Sequence, residues 1–211
     1  MVAPLSLSRA SWLRQRFATT GSGTISEGIR RSDSPGLDQL GQDSLSLVAA
    51  AVLVPLVLRD TGVTVLLTQR TAHLRDHAGQ ISFPGGRCDE RDSSPVETAL
   101  REAGEEVGLV PAQVEVLGIL PEYRTGTGFS IIPVVGLVHP PLNLKLDDFE
   151  VAEAFETPLD FLLDPANHQL HSIEFQGSMR EYHAMPWEGY YIWGATAGIL
   201  VSLRRFLMVQ D

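Results

Sequence analysis

At 211 residues the chain is long enough for one sizeable domain with a full core, and its 44% hydrophobic and 20% charged content is ordinary for a globular protein. A formal net charge of −10 argues against broad nucleic-acid binding through a basic surface. It does not exclude a small anionic substrate, because a metal ion and a few arginines reverse the local field.

No apolar run reaches the ~20 residues that span a bilayer, so no membrane partner is expected. Cys88 is the one cysteine, which rules out an intrachain disulfide, fits a reducing compartment and reads as an incidental thiol. A cytoplasmic location is the expectation. The weaker alternative is an organellar one, because the first 26 residues hold Arg9, Arg14 and Arg16 but no acid. The blander reading of that stretch, preferred here, is a short helix around residues 7–17. Residues 18–45, rich in Gly, Ser, Thr and Asp, read as a linker or loosely attached arm. The chain therefore divides into an N-terminal helix with its arm and linker, 1–45, and one folded domain, 46–211.

Residues 46–58 are almost unbroken in apolar character and suit a buried strand, with Pro55 implying an edge position or a bulge. Asp60, Thr61 and Gly62 make a turn into a second strand at 63–68, so a hairpin is expected. A polar loop follows with Arg70, His73, Arg75 and His77, then a short strand ending in Pro84-Gly85-Gly86. Two arginines and two histidines before an acidic helix form a plausible phosphate cradle, with local structural pairing as the alternative for each.

The helix is the most informative element. Ser94 is a good N-cap, Pro95 suits the first helical position, and Glu97 completes a capping box with Ser94. Val96, Ala99, Leu100, Ala103 and Val107 recur at helical spacing as a buried stripe, and Gly108 stands where a left-handed cap ends the helix. Glu102, Glu105 and Glu106 fall at i, i+3 and i+4 and share a face. Like charges at that spacing repel. A hard divalent cation, Mg²⁺ or Mn²⁺, resolves the conflict, and a solvated acidic face is the alternative.

Further strands are expected at 113–120 and 129–138, the latter with Pro133 at an edge or bulge, joined by a loop containing Tyr123, Arg124, Gly126 and Gly128. Tyr123 and Arg124 are candidates for contact with a base or a phosphate, with packing the alternative for Tyr123. Beyond a loop at 140–148, a strand and turn at 150–159 direct Val151 and Phe155 to the core. Glu150 or Glu153 is left to supply an additional metal ligand or a base, or to face solvent. A short helix at 160–163, a hairpin over 168–175 and 180–184, and a closing helix at 194–208 complete the chain. His168, His171 and His183 have no metal-ligand spacing.

Arg101-Glu102-Ala103-Gly104-Glu105-Glu106-Val107-Gly108-Leu109 resembles the core of the Nudix box, G-x5-E-x7-R-E-U-x-E-E-x-G-U, where U is a bulky aliphatic. Three positions depart from it. The Gly86-to-Arg101 spacing is one residue longer, Ser93 stands where the upstream Glu is expected with Asp92 the nearest acid, and Ala103 is small for the first U. Residues 66–86, from Leu66-Leu67-Thr68-Gln69-Arg70 to Phe83-Pro84-Gly85-Gly86, resemble L-L-T-x-R-[SA]-x-x-L-R-x-H-x-G-[QE]-[IV]-x-F-P-G-G, the signature that precedes the box in the coenzyme A pyrophosphatase subfamily. Thr71 is its one departure. The same subfamily is similar in its longer loop with acids such as Asp89 and Asp92 and in Ile192-Trp193-Gly194-Ala195-Thr196-Ala197, while Glu150-Val151-Ala152-Glu153-Ala154-Phe155 resembles the strand and turn found after the box in many Nudix proteins.

The resemblance implies an α/β fold, a mixed sheet between helices in an α/β/α sandwich. It implies metal-dependent hydrolysis of coenzyme A, and of acyl derivatives if they are accepted, to 3′,5′-ADP and 4′-phosphopantetheine. Glu102, Glu105 and Glu106 would hold Mg²⁺ or Mn²⁺. Glu105 or Glu106 would take the proton of the attacking water, and Arg101 would orient the cluster. Arg70, Arg75 and His77 would contact the substrate. The alternatives are hydrolysis of ADP-ribose, NADH or nucleoside triphosphates, or nucleotide sensing without catalysis. The partner is a small molecule rather than nucleic acid, and a homodimer remains open.

Overall fold

The computed structural model describes residues 5–19, 31–32, 47–74, 77–175 and 178–208. Arg75 and most of the arm expected at 18–45 lie outside the described residues.

The apolar run becomes strand β2, Val48–Arg59, which turns back at Arg59 and Gly62 into β3, Gly62–Arg70. Residues 53–57 of β2 are all buried, because both faces of this strand are covered. Its other neighbour is β8, Phe129–Val138, which runs parallel to it from Val48 opposite Phe129 to Val57 opposite Val138. Parallel neighbours need a crossover, and the acidic helix α2, Pro95–Val107, lies within it.

Shorter strands complete a nine-stranded mixed sheet. They are β1 (Arg31–Ser32), β4 (Ile81–Ser82), β5 (Gly85–Arg87), β6 (Val114–Ile119), β7 (Tyr123–Arg124) and β9 (Val151–Pro158). β10 (Gln169–Phe175), β11 (Ser178–Trp187) and β12 (Tyr190–Trp193) form a separate antiparallel sheet. β12 was not anticipated; its four residues are too few for a readable alternation.

One face of the large sheet packs Ala51, Leu53, Leu66 and Val134 under Ala99, Ala103 and Val107 of α2. The other packs Val54, Leu56, Val65 and Leu137 under α1 (Leu5–Thr19), α3 (Leu159–Leu163) and α4 (Gly194–Met208). This is the expected α/β/α arrangement of a mixed sheet between helices.

Pro55 and Pro133 correct the reading of their strands. Neither lies on an outer edge strand. β2 pairs with β5 through residues 50–52 and with β3 through 56–59, and Pro55 falls in the gap between them. The Leu53 amide points into that gap and donates to the Pro84 carbonyl at 2.9 Å. Strand alternation sends the Pro55 nitrogen the same way, where no ladder bond is lost. Pro133 likewise stands between the stretch of β8 paired with β7 and the stretch paired with β6. The proline in β2 thus marks where β3 and β5 part, and the site opens beside that parting.

The N-terminal helix is docked. Ala10, Leu13 and Phe17 are buried in the core opposite α2, and the Phe17 ring lies 4.5 Å from that of Phe206. Arg14 donates two hydrogen bonds of 2.7 Å to Glu115, and Arg9 pairs with Asp160 at 2.5 Å. Two of the cations in the acid-free N-terminus therefore pair with acids of the domain.

Candidate active site

Helix α2 starts and stops where local chemistry requires. The Ser94 hydroxyl accepts the Glu97 amide at 3.2 Å, and Gly108 closes the helix at φ 71°, its amide donating to Gly104. The reciprocal half of the capping box is displaced by one residue, because the Glu97 carboxylate accepts from the Ser93 amide and hydroxyl rather than from Ser94.

Arg101 is the hub of the helix. Its guanidinium donates to both oxygens of Asp92 at 3.0 and 2.9 Å, to Glu102 at 2.8 Å, to Glu105 at 3.0 Å and to the Arg87 carbonyl at 3.3 Å. Asp92 also accepts the Thr98 hydroxyl and the Asp89 amide. The Arg101 hydrogen bonds, followed by the Asp89 amide, hold the Asp92 carboxyl far below the usual range. Asp92 therefore anchors the arginine that aims two of the three helix glutamates.

The three glutamates are not equivalent. Glu106 is only 5% exposed, and its carboxylate accepts the Gly85 amide at 3.2 Å. Burial pushes its pKa up to about 8, with Glu150 and Glu102 adding to the rise while the Gly85 amide and Arg70 oppose it. Glu102 is half-buried and shifted upward, chiefly by burial and against the pull of Arg101. Its carboxylate fills the space above Gly86, where a Cβ would stand 2.5 Å from it. The Glu105 side chain is 62% exposed and held by Arg101.

Of the two downstream acids, Glu150 acts electrostatically on both Glu102 and Glu106. Glu153 is turned elsewhere and accepts the Tyr190 hydroxyl at 2.7 Å. The Thr71 amide donates to the Glu150 carbonyl at 3.0 Å, which sets the end of β3 beside this acid.

Among the described residues, no three His, Cys, Asp or Glu side chains converge closely enough to hold a metal ion as they stand. The donor set nonetheless suits a hard cation. Burial and mutual repulsion raise Glu102 and Glu106, and Gly86 leaves room for the Glu102 carboxylate.

A cavity of about 540 Å³ adjoins the cluster, and Gly85 belongs to both. Arg70 and His77 line it. The Arg70 Nε is buried without a hydrogen-bond partner among the described residues, and its charge is felt by Glu106. The Nδ1 atom of His77 lies 2.9 Å from the Gln80 side-chain oxygen. Much of the remaining wall is apolar and includes Phe83, Phe129, Ile131, Ile173 and Trp193, with Arg180 and Tyr182.

Tyr123 and Arg124 are not brought to this cavity. Tyr123 is buried against Gly198 of α4, and Arg124 pairs with Glu122 at 3.1 Å. Sequence reasoning missed the contribution of β10, β11 and Trp193, since strands more than 80 residues beyond Gly85 reach the wall only through tertiary packing. The special character of Glu106 had a readable signal. It falls three residues after Ala103 and seven after Ala99, on the buried stripe itself.

The mixed sheet and its flanking helices agree with comparison to known proteins. The NUDIX domain family model matches residues 48–173. The chain is 42% identical over 165 residues to a protein of Escherichia coli K12 named "Uncharacterized Nudix hydrolase NudL", covering 78% of this chain and 85% of that one. A Shigella boydii protein of the same name matches to the same extent. Among solved structures, the NUDIX domain of Shewanella oneidensis NrtR, complexed with ADP ribose, superposes with a TM-score of 0.50 at 20% identity, over 82% of this chain and 97% of that one. A Caenorhabditis elegans Ap4A hydrolase gives 0.46 at 20% identity, over 53% of this chain and 80% of that one. The chain belongs to the Nudix family.

Proposed function

We propose that this protein hydrolyses the pyrophosphate of coenzyme A to 3′,5′-ADP and 4′-phosphopantetheine with Mg²⁺ or Mn²⁺, and that residues 46–211 form the hydrolase domain onto which the N-terminal helix docks. One observation carries the reading. The buried Glu106 carboxylate meets the cavity at Gly85, with the Arg70 charge beside it. A pyrophosphate needs both an arginine for its anionic oxygens and a carboxylate-held cation. The coenzyme A assignment is supported by the resemblance of residues 66–86 and by the apolar wall of Phe83, Ile173 and Trp193, on which a pantetheine arm can lie.

Glu102 and Glu106, with Glu150 and Glu105 as neighbours, would hold the cation. When bound, it would neutralise the pyrophosphate and make a bound water more acidic. The chain's own groups do the positioning, which phosphoryl transfer chiefly requires. Arg101 fixes Glu102 and Glu105 through its hydrogen bonds, and Asp92 fixes Arg101. Arg70 takes the pyrophosphate oxygens. His77, braced by Gln80, stands on the same wall. Glu106, tied to the cavity's edge by the Gly85 amide, accepts the proton of the attacking water, with Glu105 the alternative acceptor.

The test is product analysis over coenzyme A, acyl-coenzyme A, ADP-ribose, NADH and dGTP with each metal, using the unaltered protein, Glu105→Gln and Glu106→Gln. Coenzyme A should be the best substrate, and Glu106→Gln should lower turnover at least ~100-fold with the fold intact. Faster hydrolysis of ADP-ribose or dGTP would overturn the substrate. Binding without turnover in either metal would point to a sensor. Near-normal activity in both variants would remove the carboxylates from catalysis.

A further inference from the structure

Strand alternation divides β5 between two environments. Gly86 faces α2 and sits under the Glu102 carboxylate. Its neighbours Gly85 and Arg87 face the other way. Along β2 and β8 the residues of that second face are Ala50, opposite both Arg87 and Ile131, and Val48, opposite Phe129. Ala50, Gly85, Phe129 and Ile131 all line the cavity. Arg87 therefore projects from the cavity side of the sheet, away from the carboxylates.

There its guanidinium lies 5.6 Å from the centre of the Phe129 ring. A ring beneath one face of a guanidinium leaves the N–H edge free for two parallel hydrogen bonds to a phosphate. The backbone that carries it is fixed. The Arg87 carbonyl accepts from Arg101, and the Cys88 amide donates to Ala49 at 3.0 Å. Among the described residues no carboxylate pairs with Arg87, although Arg14, Arg59, Arg91, Arg101 and Arg124 each have one. Arg87 is exposed, so its guanidinium is open to a ligand. The two arginines that line the cavity are placed otherwise. Arg70 stands by Glu106, and Arg180 already has a partner within the protein.

We propose that Arg87, seated on Phe129, binds the phosphomonoester carried by the ribose of the substrate, and so sets the preference for a nucleoside pyrophosphate bearing that third phosphate over one lacking it. This rests on the coenzyme A reading. It separates two anion sites, with Arg70 for the pyrophosphate near the carboxylates and Arg87 for the phosphomonoester on the cavity side of β5.

The experiment measures kcat and KM for coenzyme A and dephospho-coenzyme A with the full chain, Arg87→Ala and Arg87→Lys. Calorimetric binding of 3′,5′-ADP and 5′-ADP is measured in parallel. The unaltered protein should favour coenzyme A in kcat/KM and 3′,5′-ADP in affinity, each by roughly tenfold or more. Arg87→Ala should abolish both preferences by raising KM for coenzyme A, with dephospho-coenzyme A changed less than about twofold and Arg87→Lys restoring part of the difference. If Arg87→Ala keeps the preferences, or weakens both substrates equally, the Arg87 site is wrong and the coenzyme A reading stands. If the unaltered protein cleaves neither compound and does not distinguish the two nucleotides, the reading fails and the inference falls with it.

Discussion

Glu106 offers a test that needs no substrate. Its carboxylate is buried, and its pKa rises from an ordinary 4.5 to about 8 because burial disfavours the charge. Between those values the folded, metal-free chain retains a proton that the unfolded chain has released. Stability from this group is therefore complete below pH ~4.5 and is lost as pH rises toward 8, at about 1.4 kcal/mol per pH unit. From pH 5 to pH 7.5 the loss comes to about 3 kcal/mol. Glu106→Gln keeps the shape and can accept the Gly85 amide, but has no proton to lose. Thermal melts in chelator should show the unaltered protein falling relative to Glu106→Gln by about 6 to 12 °C across that range, using ~2–4 °C per kcal/mol for a chain of this size. Adding Mg²⁺ or Mn²⁺ at pH 7.5 should restore the unaltered protein and leave the variant largely unmoved. Parallel pH curves for the two proteins would refute the buried-carboxylate argument.

Two further outcomes follow from geometry. Gly86→Ala places a methyl group 2.5 Å from the Glu102 carboxylate, the movable end of a side chain, so stability should change by less than about 1 kcal/mol while kcat falls ~10- to 100-fold. An unchanged kcat would mean that the Glu102 position is not critical. Glu115 has a lowered pKa, first through its hydrogen bonds from Arg14 and against the effect of burial. Its contribution is present above the unfolded value and lost as pH falls. Because the pair is well exposed, Glu115→Gln should cost under ~1 kcal/mol in urea melts at pH 7 and almost nothing at pH 3. An equal cost at both values would rule out the ion pair as the source.

How much of the site could be read depended on sequence distance. The capped helix, its buried stripe and its three acids are local, and local spacing decides them. Of the cradle read at Arg70, His73, Arg75 and His77, close before that helix, Arg70 and His77 line the cavity together with Gly85, and His73 does not. The loop that departs from the Nudix pattern was legible only in part. Asp92 stood out as the nearest acid, but its two hydrogen bonds to Arg101 required the loop's actual path. For Tyr123 the sequence left open a ligand contact or packing; it packs on Gly198, because the absence of a side chain there admits a ring against α4.

By itself the sequence determined most of the long elements, the buried character of the main strands, and a family resemblance that the comparisons bear out at the level of the Nudix family. These follow from periodicity and capping, which act over a few residues. Tertiary structure alone decided which carboxylate is buried, which of Glu150 and Glu153 faces the cluster, and where Pro55 can sit in a central strand. It also decided that β10, β11 and Trp193 close a cavity against Gly85. Each of these depends on what packs against a residue from a distant part of the chain, and burial, more than residue type, sets the charge a carboxylate can carry.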